Sequence, residues 1–207
     1  MKTIAIVGQK GGTGKTTLAQ ILLVAFDRAG FTVAGIDLDP QASLCTWADT
    51  RGSDSPLVIP IPHSRLPQAL ATAAQDKVQI CIIDCAGRAE QAAFKAAQSA
   101  DVAILPVQPT SADLATVEAS YEIVKMAKCQ QAFSVLMRVK AQGTRHVEAR
   151  NFITGLGLAV CPHTIGERVV YQDAAAAGLT PQEYELSGRA CDECQQVLKF
   201  TRKQLNV

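Results

Sequence analysis

The chain has 207 residues, of which 48% are hydrophobic and 19% are charged, and its formal net charge is +1. This hydrophobic content suffices for the core of one globular domain, whereas the balanced charge excludes a protein that coats nucleic acid by bulk charge. Seven cysteines without regular spacing are typical of a reducing compartment rather than of a disulfide framework. No apolar run is long enough to span a membrane, so we expect a soluble, cytoplasmic protein.

Short apolar segments rich in Ile and Val alternate along the chain with segments of helical periodicity. The predicted strands cover residues 3–7, 33–37, 79–84, 102–107 and 133–139, and the predicted helices cover residues 15–29, 66–75, 89–99, 112–128 and 145–156. Residues 49–65 are predicted to form a loop with one short edge strand at 57–61. The alternation predicts a doubly wound α/β fold, in which a mostly parallel sheet carries helices on both faces. We expect a single domain over residues 1–207, because no linker, repeat or low-complexity tract interrupts the pattern.

The first predicted strand is followed by the glycine-rich stretch QKGGTGKTT, which begins at Gln9. A P-loop, G-x-x-x-x-G-K-S/T between a strand and a helix, wraps phosphates with its backbone N–H groups. Lys15 is predicted to reach the β- and γ-phosphates, and the Thr16 hydroxyl is predicted to bind Mg²⁺. The alternative, a glycine-rich turn with incidental lysines, agrees less well with the flanking strand and helix. The predicted nucleotide contacts in this loop are Lys10, Gly11, Gly12, Thr13, Gly14, Lys15, Thr16 and Thr17.

A second lysine, Lys10, heads the string K-G-G-x-G-K-T, which resembles the deviant Walker A motif of the ParA and MinD ATPases. In that family, whose relatives include the nitrogenase iron protein and the Mrp-type carriers, the extra lysine reaches across a dimer to the partner's nucleotide. The resemblance implies ATP or ADP with Mg²⁺ as cofactors and an ATP-dependent homodimer in which Lys10 neutralises phosphate charge in trans. A solvated loop lysine is the alternative. The resemblance covers nearly the whole chain and is closest to small plasmid-type ParA proteins.

Further nucleotide contacts are expected at the carboxyl ends of neighbouring strands. In GIDLDPQ, the resemblance implies that Asp39 positions the attacking water and that Asp37 organises Mg²⁺ or its waters, although either aspartate could instead cap a helix. Asp84 ends the apolar segment VQICIID, as expected of a Walker B carboxylate that acts on Mg²⁺ through water. Gly87 follows at the distance where the family senses the γ-phosphate with a backbone N–H. The intervening Cys85 and Ala86 depart from the family pattern.

Two later segments resemble the family's wall around the nucleotide. ILPVQPTSADL contains Pro109, a predicted nucleotide contact, and Asp113, which we interpret as a negative charge at the start of a helix. VLMRVK places Met137 and Arg138 at the strand end that usually flanks adenine, and an arginine can stack on a base.

The function predicted from the resemblance is a positioning ATPase that binds DNA without sequence preference. Arg168, in a segment similar to one in ParA, and the helical face of Lys199, Arg202 and Lys203 are the candidate DNA contacts, with Arg145 and Arg150 as weaker ones. These side chains could instead be solvated helix charges. We expect weak basal ATP hydrolysis, a stimulatory adaptor or centromere-binding protein, a cargo such as a plasmid, and association with the nucleoid.

Two other functions stay open at this point. MinD-like proteins bind membranes through an amphipathic C-terminal helix, but Val197, Leu198, Phe200 and Leu205 are too few for stable membrane insertion. Mrp-like carriers hold an iron–sulfur cluster on a late C-x-x-C motif. Cys191 and Cys194 have that spacing, but they lack a partner pair, and we interpret the cysteines as structural.

Overall fold

The computed structural model describes residues 1–87, 89–185 and 187–207. Its sheet has seven strands in the order β3-β2-β4-β1-β5-β6-β7, and every neighbouring pair is parallel. The predicted α/β fold with a parallel sheet is therefore confirmed. The strands are β1 (Lys2–Ile6), β2 (Val33–Asp37), β3 (Leu57–Pro60), β4 (Ile80–Asp84), β5 (Val102–Val107), β6 (Gln131–Leu136) and β7 (Ala159–Val160).

The helices cover both faces of this sheet. They are α1 (Lys15–Arg28), α2 (Ser43–Arg51), α3 (Leu66–Gln75), α4 (Glu90–Ser99), α5 (Ser111–Met126), α6 (Arg145–Gly155), α7 (Val170–Ala176), α8 (Pro181–Tyr184) and α9 (Arg189–Leu205), with a 3₁₀ turn at His63–Arg65. The predicted elements agree with these bounds to within a few residues. The structure adds α2, the four-residue helix α8 and β7, which the sequence pattern did not reveal. A nine-residue helix with three buried side chains and a two-residue strand are too short to show clear periodicity.

The alternation of side chains along each strand divides the core into two layers. Ile4 and Ile6 of β1 pack on the layer that contains α1 and α9, whereas Ala5 and Val7 pack on the layer that contains α4 and α5. Because both faces are covered, the central strands are continuous apolar runs rather than alternating ones. The strand order reverses direction at β1, so the crevice for a ligand is expected at the carboxyl ends of β1 and its neighbours.

Helix α2 is fixed by contacts with the segment around α7 and α8. The indole N–H of Trp47 donates to the carbonyl of Leu179 at 3.2 Å, and Arg51 forms an ion pair with Glu183. Gly178 lies against the same helix with a φ of +69°, and a Cβ there would lie 2.6 Å from Arg51 Cα. Glycine is therefore required at this position both by the left-handed backbone and by the close approach of α2.

This contact predicts a stability difference between two glycine substitutions. We expect Gly178→Ala to lower the free energy of unfolding by about 3 kcal/mol, since steric overlap adds to left-handed strain. Gly157→Ala is the matched control, because Gly157 has a φ of +83° but open space around it, and it should cost about 1 kcal/mol. Urea unfolding followed by the fluorescence of Trp47, the single tryptophan of the sequence, measures both. Equal losses would show that α2 does not press on Gly178.

Candidate functional site

The P-loop connects β1 to α1 and depends on glycine at Gly14. This residue precedes α1 with a φ of +100°, and a Cβ there would lie 3.1 Å from Met137 Cε. Among the described residues, none caps the start of α1 with its side chain. The first N–H groups of α1 are thus available to an anion, as in other phosphate-binding loops.

The Lys15 side chain folds back onto the P-loop. Its side chain is buried, and its ammonium group donates to the carbonyl of Lys10 at 2.9 Å. Burial lowers the pKa of Lys15, whereas the nearby Asp84 carboxylate opposes this shift. The lysine is therefore held where its charge can act on a bound phosphate.

Asp84 supplies a buried carboxylate next to the P-loop. Its Oδ2 accepts a hydrogen bond from the Thr16 hydroxyl at 2.7 Å, while Oδ1 is buried and has no hydrogen-bond partner among the described residues. Burial raises the pKa of Asp84 to about 7, so the carboxylate needs a cation in order to stay charged. Hydroxyl and carboxylate oxygens are ligands that Mg²⁺ accepts, directly or through water. Thr16 and Asp84 thus fit Mg²⁺, which in such sites neutralises charge on the phosphates.

Asp37 accepts three backbone hydrogen bonds. Its Oδ1 accepts the N–H of Asp39 at 2.9 Å, and its Oδ2 accepts the N–H groups of Leu44 and Cys45 at 2.9 and 3.2 Å. These bonds fix the start of α2, which is the capping alternative considered for the two aspartates. The contribution of Asp37 to a magnesium site stays a prediction. Asp39 is only partly buried, and its Oδ1 accepts the N–H of Gln41.

Lys10 is held by an ion pair with Asp113. The Lys10 ammonium group forms an ion pair with Oδ1 of Asp113, whose Oδ2 accepts the Gln108 N–H at 3.0 Å. The lysine side chain is 37% exposed, whereas that of Asp113 is 3% exposed. Asp113 is therefore the main anchor of Lys10 as well as a charge at the start of α5. The sequence signal for this ion pair was that an acidic residue, Asp113, was expected at the same edge of the sheet as Lys10.

A cavity of about 630 Å³ brings most of the predicted nucleotide contacts together. Gly87 packs closely against the P-loop, because a Cβ at Gly87 would lie 3.0 Å from the Gly11 nitrogen. Thr13 is buried and lies outside the cavity lining, and Pro109 lines a neighbouring cavity of about 390 Å³. The lining residues include Gly11, Gly12, Gly14, Lys15, Thr16, Thr17, Asp39, Gly87, Met137, Arg138, Arg168 and Tyr171.

Arg168 has different surroundings from the other three predicted DNA contacts, which all lie on α9. Arg168 lines the nucleotide cavity and forms an ion pair with Glu193 of α9, which also accepts the Tyr171 hydroxyl at 2.9 Å. At about 100° per residue, Lys199, Arg202 and Lys203 occupy one sector of α9, whose centre lies about 130° from Glu193. Lys199 and Lys203 are exposed, and Arg202 lies over the ring of Phe31 at 5.2 Å.

Arg150, one of the two weaker candidates for DNA binding, is engaged in the fold. Its guanidinium donates to the carbonyls of Cys161 and Pro162 at 2.8 and 3.3 Å. Arg145 is exposed at the start of α6. Of these two arginines, Arg150 is therefore held by backbone carbonyls of the fold, whereas the Arg145 side chain is exposed to solvent.

Cys191 and Cys194 lie on the buried side of α9, and burial raises the pKa of Cys194 to about 12. Within residues 1–87, 89–185 and 187–207, no three or more His, Cys, Asp or Glu side chains are grouped so that they could hold a metal ion. Across those same residues, none of the helices has the length and apolar character needed to cross a membrane.

The parallel sheet, the P-loop and the carboxylate at its mouth define a P-loop nucleotide-binding protein. Residues 4–182 match the family model of the CobQ/CobB/MinD/ParA nucleotide binding domain, and the chain belongs to this family. The ParA/MinD resemblance noted in the sequence is thereby confirmed.

Named relatives agree with this assignment. The chain is 26% identical over 204 residues to the maintenance of carboxysome distribution protein A of Halothiobacillus neapolitanus, with 95% of this chain and 94% of that protein covered. A Cyanothece McdA–ATP complex has a similar fold, with a TM-score of 0.81, 18% identity and coverage of 100% and 97% of the two chains. For MinD of Pyrococcus horikoshii with Mg-ADP, the TM-score is 0.79 at 20% identity, and 98% and 96% are covered. Family membership confirms the expected cofactors, ATP or ADP with Mg²⁺.

The Lys10–Asp113 contact predicts a coupled effect on stability. Lys10→Ala should cost about 2 kcal/mol, because it leaves the buried Asp113 carboxylate without its cation. The added change Asp113→Asn keeps an acceptor for Gln108 but removes the charge, so the double variant should recover about 1 kcal/mol relative to the sum of the single changes. Lys125→Ala, which breaks an exposed ion pair with Glu122, should cost less than about 0.5 kcal/mol. Additive losses in urea unfolding would contradict this cis contact.

Proposed function

We propose that this chain is an ATP-dependent switch that dimerises around two nucleotides, binds DNA without sequence preference and positions a cargo. In this proposal the protein is a weak Mg²⁺-dependent ATPase, associated with the nucleoid, whose hydrolysis a small adaptor or centromere-binding protein stimulates. A plasmid is one candidate cargo. The name of the Halothiobacillus relative, which concerns carboxysome distribution, supports a positioning role more than a particular cargo.

The position of Lys10 is the observation that carries the proposal. Lys15 lines the nucleotide cavity of its own chain. Lys10 lies outside the lining of that cavity, and its side chain is partly exposed. A cation at the mouth of the site can reach the phosphates of a second copy placed face to face with the first. In that arrangement Lys10 exchanges the Asp113 carboxylate for phosphate oxygens, which also carry negative charge.

Asp39 is suited to position the attacking water in this reaction. It lines the nucleotide cavity, it is only partly buried, and Asp37 holds its backbone in place through the 2.9 Å hydrogen bond. Hydrolysis therefore depends on a side chain at the end of β2 whose loop leads directly into α2.

The cationic face of α9 is the proposed DNA surface. Lys199, Arg202 and Lys203 share one sector of the helix, and a dimer would present this sector twice. Because the net charge of the chain is only +1, two copies of a local patch bind DNA better than one. Arg168 is less suited to bind DNA than these three residues, because its ion pair with Glu193 would first have to break.

A membrane surface is less well supported as the matrix. The apolar side of α9 is used in the core, where Val197 and Leu205 are buried and Leu198 and Phe200 pack against the same cluster. Helix α9 therefore has little apolar surface left to insert into a bilayer.

The two lysines are predicted to have separate effects on nucleotide chemistry. Lys15→Ala should weaken ATP binding on the order of 100-fold, because it removes a buried charge from the phosphates. Lys10→Ala should bind ATP within about threefold of the wild type but lose ATP-dependent dimerisation and hydrolysis, since its phosphate contact is made in trans. Calorimetric titration and light scattering separate the two effects. Normal dimerisation of Lys10→Ala would refute the trans role.

The DNA surface is tested by fluorescence anisotropy on random duplex DNA with ATP, with ADP or without nucleotide. We expect tight binding only with ATP. Replacing Lys199, Arg202 and Lys203 together by alanine should weaken this binding by at least about tenfold. It should also flatten the slope of log affinity against log salt by up to about 5, because a dimer loses six charges and each phosphate contact contributes about 0.9 through counterion release.

The matched control for this experiment is the triple variant Arg28→Ala/Lys95→Ala/Arg189→Ala, which removes the same charge from other positions. It should leave both the affinity and the salt slope close to those of the wild type. Equal affinity in all three nucleotide states would argue against a switch, and a control that weakens binding as much as the α9 variant would show a bulk charge effect.

A further inference from the structure

A second concave site opens beside the nucleotide cavity. Its volume is about 390 Å³, and it shares Arg138 and Glu167 with the wall of the nucleotide cavity. One side is formed by the residues that follow β5, and the other side is formed by the segment between β6 and the first turn of α6. We call it the basic cavity, and the residues used below are Gln108, Arg138, Lys140, Arg145, His146 and Glu167.

The basic cavity carries an excess of cations. Arg138, Lys140 and Arg145 line it together with the imidazole of His146, and Glu167 is the single carboxylate among the described lining residues. That carboxylate is engaged by Arg138 at 3.0 Å. Across the described part of the chain, neither Lys140 nor Arg145 has a carboxylate within ion-pair distance. Two cations that face one cavity repel each other, and an oxyanion between them relieves this repulsion.

The walls of the basic cavity are held in place independently of any occupant. Gln108 donates its side-chain N–H to the carbonyl of Gly12 in the P-loop at 2.6 Å, and its backbone N–H to Asp113 at 3.0 Å. On the other wall, Arg138 has a φ of +52°, a conformation that non-glycine residues rarely adopt. Such strained positions occur preferentially at functional sites, where they aim a side chain.

We propose that the basic cavity binds the phosphodiester oxyanions of DNA. Fixed walls, two cations without carboxylate partners and an opening to solvent suit a phosphate group that belongs to a long chain. The identity of the ligand rests on the proposed DNA-binding function, whereas the affinity for an oxyanion does not. The site supplies a phosphate contact next to the nucleotide, in addition to the cationic face of α9.

The test compares Lys140→Ala/Arg145→Ala with the control Arg28→Ala/Lys95→Ala, which also removes one lysine and one arginine. With ATP and Mg²⁺, the cavity variant should bind random duplex DNA about tenfold more weakly than the wild type, and its salt slope should be shallower by up to about 3.5, because the proposed dimer loses four charges. The control should stay within about twofold, and both variants should bind ATP normally because neither pair lines the nucleotide cavity. Wild-type DNA affinity of the cavity variant would overturn the assignment.

A second arm uses inorganic phosphate on the ADP-loaded protein, followed by NMR of backbone amides. Phosphate should shift the Gly143 and Arg145 amides in the wild type, and these shifts should be absent in Lys140→Ala/Arg145→Ala. If wild-type protein binds phosphate there but binds DNA in no nucleotide state, the cavity is a free-phosphate site and the proposed DNA function fails. If the α9 variant loses DNA binding while the cavity variant keeps it and no amide shifts occur, this inference alone is overturned.

Discussion

The buried carboxylate of Asp84 is the constraint on which the site depends. It lies at the end of a central strand of an apolar sheet, where a charge is costly unless donors or cations surround it. The Thr16 hydroxyl supplies one donor, and Lys15 supplies a cation nearby. These two contacts hold the P-loop and the start of α1 against the end of β4. One carboxylate oxygen stays without a partner among the described residues, which is the place where Mg²⁺ fits.

The two lysines of the P-loop divide the site into an inner and an outer part. Lys15 is hydrogen-bonded to the loop backbone and buried, which agrees with the predicted contact to the nucleotide of its own chain. Lys10 is held by Asp113 at the edge of the loop, and Asp113 is in turn fixed through Gln108. An ion pair that is buried on one side only can open when a stronger anion approaches. In the proposed dimer, Lys10 would then be the group that acts on the partner's phosphates.

The end of β2 connects the site to a distant surface. Asp37 ties the backbone of Asp39 to the first N–H groups of α2, and α2 is fixed to the segment around α8 by Trp47 and Arg51. A displacement of the loop that carries Asp39 would therefore shift α2 relative to Gly178, against which α2 is closely packed. Packed elements of this kind move as units, since interiors are close-packed.

The sequence by itself determined the α/β class, the parallel sheet and the P-loop, because these depend on local periodicity and on residues that are adjacent in the chain. It also placed Asp37, Asp39, Asp84 and Gly87 at one edge, since the carboxyl ends of parallel strands meet there. Only the tertiary structure decided which partners these groups have. The Lys10–Asp113 and Arg168–Glu193 pairs join residues that are 103 and 25 positions apart. Such pairings depend on three-dimensional packing, which no pattern along a single segment encodes.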